Sequence, residues 1–535
     1  MTTARTDAGA PASLRLTAGI LGVAFAFPAL YLLWRNASIG APVFDRVFSS
    51  RTMGPAWRTL QLAVLVSSSA AVLGTALAWL TTRTDIPGRR LAAALLPLPL
   101  VFPTFIGAAA FIRTMNPGGV VNDALGIIGI ENTPSIQGLV GAWFVLLLFT
   151  YPYVFLPVAA RLRQLPGSLE ETSRFLGDSS WETFRRVVLP QLWTAIGAGT
   201  LLVFLYAISD FGAVQLLRYD TLTRAIETNW LSGGGDAAFA LAFVLLLLAG
   251  ATVVAERTAS RRLTTFSLTR SGRPVQYELG RATPAALAGV WFVLLTAIGA
   301  PMLALGDWAI DGLRRGAGNG RPLTIDGADV ASATWNTLWV SVITAVVALA
   351  AVLPIAFLYG RHRSRVGPLA HALVISTFAL PGVLIALSLR FWSLQNSVLN
   401  DLANDSSVLL IFSYTVRFGS LAMGVALIAV RAVPETFADC ARSLGANSLE
   451  RLRSVDLPLM RPGLLAGGGL VLLSTMKELP ISFLLSPIGF STLATRMFGS
   501  FEDSFVGEAG ILAVVLVALS SVLTWFLVLR RADHL

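Results

Sequence analysis

The sequence predicts an all-α integral membrane protein with about twelve transmembrane helices, arranged as two tandem parallel repeats of about six. The 535-residue chain is 55% hydrophobic and only 13% charged, with a mean hydropathy of +0.70, whereas soluble domains usually carry about 25% charged residues. Its apolar residues fall into runs of about 20, the length that crosses a hydrocarbon core of about 30 Å. A chain of this composition has too few polar residues to cover a water-facing surface.

Each apolar run is expected to form one span. The runs lie near residues 16–34, 58–80, 91–112, 137–160, 190–212, 238–255, 284–304, 335–359, 367–389, 407–430, 460–483 and 507–529. Several contain Pro and Gly, which spanning helices tolerate when neighbouring groups satisfy the freed backbone. The first run follows Arg5 and Arg15 and is too long for a typical signal peptide, so it is predicted to be an uncleaved span.

The basic residues are divided unevenly between the two sides of the predicted membrane. One side comprises both termini and the loops 81–90, 161–186, 256–281, 361–365 and 431–461. It carries 26 of the 40 basic residues, against 12 on the other side. The positive-inside rule therefore places both termini in the cytoplasm, which agrees with an even number of spans.

Residue counts disfavour several kinds of partner and site. The net charge is +10, but Lys477 is the only lysine and the arginines are spread over short loops, so no nucleic-acid partner is expected. The single cysteine, Cys440, excludes an intrachain disulfide. No loop is long enough for a sizeable soluble domain. Any energy source must therefore be an ion gradient or a separate subunit.

An internal repeat relates the two halves. Thr59 opens the second run and Thr337 the eighth, and the clearest match lies between EETSRFLGDSSWETFRRVVLP at 170–190 and ADCARSLGANSLERLRSVDLP at 438–458. In each stretch an acidic residue precedes a Gly by six residues, and the Gly precedes Leu-Pro by twelve. Each stretch follows the fourth run of its half, and equal topology in both halves implies repeats about an axis along the membrane normal.

Local signals predict the conformation of these stretches. Ser168 and Glu171 match a capping box that starts a short helix, and Gly177 suits the left-handed conformation that ends one. Ser179 and Glu182 match a second capping box.

The second stretch carries related signals. Asn447 and Glu450 match the second capping box, and Pro458, like Pro190, suits the first turn of the following span. One stretch of this kind is typical of an ordinary interfacial loop. Two in register indicate a docking element, because a symmetric pair implies a symmetric pair of partners.

The spacing resembles the EAA loop in permease subunits of binding-protein-dependent ABC importers. The Ala-Ala of that loop corresponds to Thr172 and Ser173 in the first copy, and Asp439 stands where Glu is typical in the second. The resemblance covers the whole chain as a fusion of two permease domains. Within the class the chain is most similar to ferric-iron permeases, through SDFGAVQLLRYDTLTRAI (209–226) and KELPISFLLSPIGFSTLATRMF (477–498).

The resemblance implies a division of labour in the bacterial plasma (inner) membrane. A separate ABC ATPase subunit, as a dimer, would dock on coupling loops at 168–190 and 435–458. An extracytoplasmic substrate-binding protein would deliver cargo to the opposite face, and this chain would form the path and alternate its access. The first permease repeat would span 1–265, a cytoplasmic linker 266–283 and the second repeat 284–535. The residues expected to dock the ATPase are Glu171, Gly177, Leu189, Pro190, Asp439, Gly445, Leu457 and Pro458.

Catalysis by the chain itself is not expected. A P-loop needs Gly-Lys-Ser/Thr to hold phosphates, but Lys477 lies between Met476 and Glu478. Paired catalytic carboxylates and a nucleophile motif are also absent from the sequence. The chain is therefore predicted to be a transport subunit that binds no cofactor, with ATP used by its partner.

Ionisable residues beside the apolar runs are candidates for the cargo path. Asp210 and Glu478 are equivalent by the repeat and follow Leu-Pro by about 20 residues, or about 30 Å of helix, which predicts a position near the outer mouth. They could offer oxygen ligands to ferric iron, a hard cation, or they could be helix-end carboxylates, with Glu478 neutralised by Lys477. Arg417, the third path candidate, either pairs with an interior carboxylate or snorkels.

Other interpretations remain open at this point. The cargo could be thiamine or a small oxyanion within the same class. The chain could also be a secondary transporter driven by an ion gradient, but apart from Arg417 the runs are nearly bare of charge at mid-depth. Tyr151 and Tyr414 are expected to pack rather than bind, and no metal site is firmly assigned.

Overall fold

The computed structural model of the chain describes residues 10–40, 45–115, 119, 122–123, 136–260, 275–317 and 321–524. These residues fold almost entirely into helices. No β-strand occurs among them, although an isolated β-bridge joins Thr84 to Tyr277. The all-α prediction is confirmed. Both chain ends, linker residues 266–274 and the end of the run at 507–529 lie outside the described residues.

The first part of the described chain contains fourteen labelled helices. They are α1 (Ala12–Ile39), α2 (Ser50–Arg83), α3 (Arg89–Leu95), α4 (Thr104–Met115), α5 (Leu139–Thr150), α6 (Pro152–Gln164), α7 (Gly167–Phe175), α8 (Ser180–Thr183), α9 (Leu189–Ser209), α10 (Gly212–Leu216), α11 (Leu222–Leu231), α12 (Gly235–Ser260), α13 (Thr283–Leu294) and α14 (Ala300–Arg315). Short 3₁₀ turns occupy Leu98–Val101 and Gly280–Ala282, and π-helical segments occupy Phe184–Val188 and Leu295–Gly299.

The remaining described residues continue the same pattern. Their helices are α15 (Gly327–Arg361), α16 (Val366–Ser376), α17 (Gly382–Leu394), α18 (Ser397–Asp405), α19 (Val408–Ala432), α20 (Glu435–Ser443), α21 (Ser448–Arg451), α22 (Leu457–Met476), α23 (Pro480–Leu485), α24 (Leu493–Glu502) and α25 (Val506–Thr524). A 3₁₀ turn at Thr377–Ala379 follows α16, and a π-helical segment at Leu452–Asp456 precedes α22.

Ten helical stretches in the described residues are long and apolar enough to cross a membrane, or twelve spans if each of two bent pairs counts as one. The bent pairs are Arg89–Val101 with Thr104–Met115, at 96°, and Val366–Ala379 with Gly382–Leu394, at 108°. About twelve spans were predicted, and this is confirmed. The runs at 91–112 and 367–389 are not continuous helices, however, because each is broken near its middle.

Proline explains both breaks. Pro103 and Pro381 each follow a residue with extended backbone, Phe102 at φ −79° and ψ 130° and Leu380 at φ −79° and ψ 116°. The proline ring disfavours helical geometry in the preceding residue and removes one backbone donor. Each run therefore turns sharply at its Leu-Pro or Phe-Pro step instead of crossing as a straight helix.

The chain divides into two compact units. The first unit comprises residues 1–41, 322–503 and 512–535, and the second comprises 42–321 and 504–511. In the first unit, α15 packs along α19 and α22, and α1 packs against α16. In the second, α2 packs along α6 and α9, and α14 packs against α4. The first span thus belongs to the unit that holds most of the predicted second repeat, and the seventh span to the other unit.

A pair of equivalent hydrogen bonds reflects the repeat. The hydroxyl of Thr59 in α2 accepts the backbone N–H of Leu222 at 2.8 Å, and the hydroxyl of Thr337 in α15 accepts that of Leu493 at 2.9 Å. Each bond ties the N-terminal part of a long helix to the start of a short helix, α11 or α24. The matching threonines predicted from sequence therefore have matching contacts in their own units.

Candidate functional site

The first predicted coupling loop is a helix, a tight bend and a second short helix. Helix α7 ends in a Schellman motif, in which the N–H of Asp178 donates to the carbonyl of Ser173 (3.2 Å) and that of Gly177 to the carbonyl of Arg174 (3.0 Å). Gly177 has φ +100°, a left-handed conformation that costs glycine little. The sharp bend predicted at this glycine is confirmed.

The second loop repeats this geometry in the other unit. Helix α20 ends with the N–H of Ala446 donating to Ala441 (3.0 Å) and that of Gly445 to Arg442 (2.9 Å). Gly445 has φ +82°. Two loops that differ at most positions therefore form the same Schellman motif, because the glycine holds the same register in both.

The capping boxes predicted after the two bends are present. Ser179 and Glu182 exchange their hydrogen bonds at 3.3 and 2.9 Å, and Asn447 and Glu450 do so at 2.9 and 2.9 Å. These reciprocal bonds satisfy backbone donors that a helix start would leave free. Each bend is thus followed at once by a defined new helix.

The capping box predicted at Ser168 and Glu171 is wrong. Helix α7 starts at Gly167 with Pro166 as its N-cap and has no side-chain cap. Ser168 is therefore already inside the helix, where its carbonyl accepts the hydroxyl of Thr172 at 2.7 Å. The extended Pro166, at φ −68° and ψ 136°, starts the helix earlier than the serine would have done.

Apolar side chains are exposed at the tip of each bend. Leu176 is 79% exposed and its counterpart Leu444 is 88% exposed, each immediately before the bend glycine. Phe175 beside Leu176 is also almost fully exposed. Each bend therefore carries an exposed apolar side chain at its tip, a feature that often marks a contact with a partner.

The acidic residues of the pattern lie at the surface of their loops. Glu171 and Asp439 are both exposed, and Asp439 forms an ion pair with Arg442 at 3.2 Å. Surface pairs of this kind add little stability. Their carboxylates are available to a partner, so the docking role assigned to them stays a prediction.

A π-helical turn links each loop to the span that follows. The N–H of Leu189 bonds to the carbonyl of Phe184, and that of Leu457 bonds to Leu452, both across five residues. Pro190 and Pro458 are the second residues of α9 and α22. A proline has no N–H to donate, and in each copy it comes directly after the π-helical turn, within one continuous helical stretch, Ser180–Ser209 or Leu449–Met476.

Arg83 anchors the first loop. It is the last residue of α2 and is fully buried. Its Nη2 donates to the carbonyls of Leu162 (2.9 Å) and Leu165 (3.1 Å) at the end of α6, and lies 3.1 Å from Oε1 of Glu170 in α7. The guanidinium thus satisfies carbonyls that a helix end leaves open while holding the first helix of the loop by charge.

Arg361 anchors the second loop, but the carboxylate that it pairs with comes from the end of that loop and not from its first helix. Its Nη2 donates to the carbonyls of Val430 (3.1 Å) and Val433 (3.4 Å), the counterparts of Leu162 and Leu165. Its Nη1 lies 3.1 Å from Oδ1 of the buried Asp456, at the end of the π-helical turn.

The repeat thus keeps the anchoring cation and relocates the anion. Ala438 stands at the position of Glu170, and Val188 stands at the position of Asp456. The sequence alone does not identify these anchors, because Arg83 and Arg361 lie in short stretches with several other arginines and resemble ordinary loop charges. Arg83 follows Thr59 by the same number of residues as Arg361 follows Thr337, and this equal spacing is the signal in the sequence that relates the two arginines.

Tyr277 of the predicted linker joins the anchor of the first loop. Its hydroxyl donates to Oε2 of Glu170 at 2.5 Å, and its N–H donates to the carbonyl of Arg83 at 2.7 Å. The Arg174 guanidinium lies over its ring at 5.8 Å. Burial raises the pKa of the Tyr277 phenol, and the Glu170 carboxylate raises that pKa further, so the phenol stays a donor.

Asp210 caps a short helix. Its carboxylate accepts the hydroxyl of Thr104 (2.6 Å) and the N–H groups of Ala213 (3.1 Å) and Val214 (3.3 Å) in α10. Its carbonyl accepts the hydroxyl of Thr223 at 2.7 Å. The buried carboxylate therefore has a clear role at a helix end, and its role in the cargo path stays a prediction.

Glu478 occupies the equivalent position with different surroundings. The partner of Asp210, Thr104, corresponds to Gly382, and a side chain at Gly382 would overlap the Glu478 carboxylate. The first copy combines a short carboxylate with threonine, and the second combines a longer carboxylate with glycine. Each pair fills one space, so the two positions depend on each other.

Arg417 lies beside the backbone carbonyl of Leu380, in the same unit as Glu478. It donates to the carbonyl of Leu380 at the break before α17, which is the backbone group that the bend exposes. One turn away, the hydroxyl of Tyr414 bonds to Ser482, which donates to the carbonyl of Glu478 at 2.8 Å. Arg417 thus donates to a carbonyl at a helix break, and the carboxylate pairing or snorkelling expected from the sequence stays a prediction.

The tyrosines singled out from sequence are both buried. Tyr151 donates to the carbonyl of Leu96 at 2.8 Å, and Tyr414 bonds to Ser482. Both side chains therefore pack inside their units with their hydroxyls engaged. Among the described residues, no group of three or more His, Cys, Asp or Glu side chains could hold a metal ion.

Two segments, 70–264 and 352–532, match the family described as the binding-protein-dependent transport system inner membrane component. The chain belongs to this family. It is an inner-membrane permease of the binding-protein-dependent ABC importer type, with the family domain present twice. Both segments lie within the predicted repeats and contain the two loops with their Schellman motifs. The outer limits of the repeats stay a prediction.

Relatives differ in how much of the permease they cover. The Fe(3+)-transport system permease protein FbpB 2 of Haemophilus influenzae is 28% identical over 517 residues, covering 96% of this chain and 97% of that protein. The probable molybdenum ABC transporter permease protein of Haloferax volcanii is 30% identical over 238 residues, covering 44% of this chain and 84% of its own length. The sulfate transport system permease protein CysW of Escherichia coli is 27% identical over 243 residues, covering 44% and 82%. This permease therefore resembles the iron protein over both repeats and the other two over less than half its length.

Proposed function

We propose that this permease imports ferric iron and is driven by a separate ABC ATPase docked on the loops at 168–190 and 435–458. The observation that carries the docking proposal is the matched pair of bends, with Leu176 and Leu444 exposed at equivalent positions. A dimeric ATPase offers two equivalent surfaces, and two equivalent loops suit them. The iron proposal is supported by the full-length similarity to the Fe(3+) permease.

The anchors suggest how a movement of the ATPase would reach the spans. Each loop is tied by a buried ion pair to the end of a long helix, α2 through Arg83 and α15 through Arg361. A push on the exposed tip of either bend would therefore act on that helix through the pair rather than dissipate in a flexible loop. This coupling would alternate the access of the cargo path between the two sides of the membrane.

The orientation in the membrane is part of the same proposal. The excess of arginines on one side favours cytoplasmic loops and termini, and a substrate-binding protein would deliver cargo to the opposite face. Reporter fusions after Leu535 and within 314–321 should then report opposite sides. If both reporters lie on one side, this topology is wrong.

A small oxyanion is the second candidate cargo, because the molybdenum and sulfate permeases are also related. Arg417 gives that alternative a cation beside a helix break. The two cargoes are distinguished by uptake into proteoliposomes that hold the permease, its ATPase and its binding protein. We expect ATP-dependent uptake of labelled ferric iron and background uptake of sulfate, molybdate and thiamine. ATP-dependent uptake of one of those compounds without iron would refute the cargo while leaving the importer intact.

A further inference from the structure

A groove of about 680 Å³ runs between α15 and α22 in the first unit. Its walls are almost entirely apolar, with Val342 and Val346 on one side and Leu465 and Leu472 on the other. Val342, Val346 and Leu465 are well exposed. The groove therefore opens on a surface of apolar side chains, the kind that faces lipid in a spanning protein.

The groove has one charged end. Arg453 and Arg461 line it where α22 leaves the second coupling loop, and both are exposed. Neither forms an ion pair with a carboxylate in the part of the chain that the structure describes. From Arg461 to Leu472 the groove follows eleven residues of helix, about 16 Å. That length matches half of a hydrocarbon core of about 30 Å, or one leaflet.

Small residues give the groove its depth. Gly468 and Gly469 line it from α22, and Ala345 lines it from α15. The equivalent positions in the first repeat hold Thr200 and Leu201 for the two glycines, and Trp193 for Arg461. The second repeat therefore combines two glycines with a second cation, whereas the first repeat has bulkier side chains at the two glycine positions.

We propose that this groove binds an anionic phospholipid of the leaflet on the coupling-loop side. Its acyl chains would lie along Val346, Leu465 and Gly468, and its phosphate would sit between Arg453 and Arg461. Basic pockets between spanning helices recognise anionic headgroups in this way, and an apolar trough one leaflet long suits the chains. Since Arg453 belongs to the second coupling loop, the lipid would contact that loop directly.

The charge requirement can be tested by native mass spectrometry of the purified full chain titrated with phosphatidylglycerol or with phosphatidylcholine of the same acyl chains. Wild type should retain phosphatidylglycerol preferentially. Arginines at an anionic membrane surface each contribute about fivefold in affinity. Arg453→Gln with Arg461→Gln should therefore weaken phosphatidylglycerol binding by about 25-fold. It should weaken phosphatidylcholine binding much less, because the choline ammonium of that lipid offsets the charge of its phosphate. Equal retention of the two lipids by wild type would overturn the proposal.

The matched control removes two positive charges from the first loop, through Arg185→Gln with Arg186→Gln. Both arginines are exposed, and Arg185 is the counterpart of Arg453. This control should bind phosphatidylglycerol like wild type. If it loses as much affinity as the groove variant, the attraction is a general effect of surface charge and the site does not exist.

A second pair of variants tests the groove while keeping its charges. Val346→Trp should obstruct the trough and lower phosphatidylglycerol binding several-fold, whereas Val72→Trp, on an equally exposed face of α2, should have no effect. Both positions are exposed, so neither substitution crowds a buried core. Unchanged binding by Val346→Trp would show that no acyl chain lies in the groove and would refute the proposed site.

Discussion

Arg83 and Glu170 form a buried ion pair, 3.1 Å apart, that fastens the first coupling loop to the end of α2. The second loop has the same cation at Arg361, but its carboxylate comes from Asp456. Each loop is thus held by its own arginine at the end of a long helix. The paired carboxylate belongs to the first helix of the loop in the first copy and to the π-helical turn at its end in the second.

Removal of the first anchor should destabilise the protein strongly. Arg83→Gln leaves Glu170 buried without its cation, a change that typically costs about 3–5 kcal/mol. The purified variant should therefore have a clearly lower Tm in detergent, and Arg83→Gln with Glu170→Gln should recover part of the loss. Arg186→Gln is the control, because its ion pair with Asp178 is exposed and adds at most about 1 kcal/mol. Equal Tm values for Arg83→Gln and Arg186→Gln would show that the pair is no anchor.

Tyr277→Phe should weaken the same anchor to a smaller extent. It removes one hydrogen bond to a charged group, typically about 1.5–3 kcal/mol. Because the raised pKa of the phenol lies above its unfolded value, its contribution is fully present below pH 10 and would be lost only as the pH rises through the folded value. The fall in Tm should therefore be the same at pH 6 and pH 8. A fall confined to one of these pH values would mean that another group controls the contact.

Asp210 and Glu478 should each be exchangeable together with the residue that faces its carboxylate, Thr104 or Gly382. Gly382→Ala places a methyl group against Oε1 of Glu478, so that carboxylate must move. Because the oxygen is the end of a flexible side chain, the Tm should fall only slightly. Gly382→Thr with Glu478→Asp recreates the Thr104–Asp210 pair of the first copy and should be tolerated better than Gly382→Thr alone. The comparison is made by thermal unfolding of the three variants. If the double variant is the least stable, the two sites are not interchangeable.

Cargo uptake should depend on these carboxylates if they line the path. Asp210→Asn with Glu478→Gln removes negative charge and nearly keeps shape, so uptake of labelled ferric iron should fall well below wild type. ATPase binding, about 30 Å away along the helices, should be unchanged. Normal uptake by a folded double variant would leave Asp210 and Glu478 with a structural role only.

Local signals were sufficient to predict much of the coupling loops. Gly177 and Gly445 fix the bends through their own backbone freedom, and Ser179 caps a helix with a residue three positions away. The start of α7 was misjudged, because the capping pattern at Ser168 competes with the extended Pro166 before it.

The contacts that hold the loops could not be predicted in the same way. The carbonyls bound by Arg83 lie 79 and 82 residues away, and those bound by Arg361 lie 69 and 72 residues away. Nothing in the local pattern shows that Glu170 in one copy is replaced by Asp456 in the other. At Pro103 and Pro381 the local signal is present in the sequence, but its effect is not. Whether a proline breaks a helix inside an apolar run depends on the neighbouring helices.

If an ATPase docks on the tips of both loops, Leu176→Asp with Leu444→Asp should remove that contact. Each leucine would contribute about 1.5–3 kcal/mol if buried by the partner, and charges at both tips should abolish binding. Gly177→Asp with Gly445→Asp should act in the same direction, because left-handed backbone strains any side chain. Leu323→Asp, on the side predicted to be extracytoplasmic, is the control.

The decisive measurement is the amount of ATPase subunit that co-purifies with the tagged permease from membranes. We expect wild-type amounts with Leu323→Asp and at least a tenfold loss with Leu176→Asp and Leu444→Asp together. In both cases the permease itself should still insert and unfold at its normal Tm. Wild-type amounts of ATPase on the double variant would contradict docking at these loops.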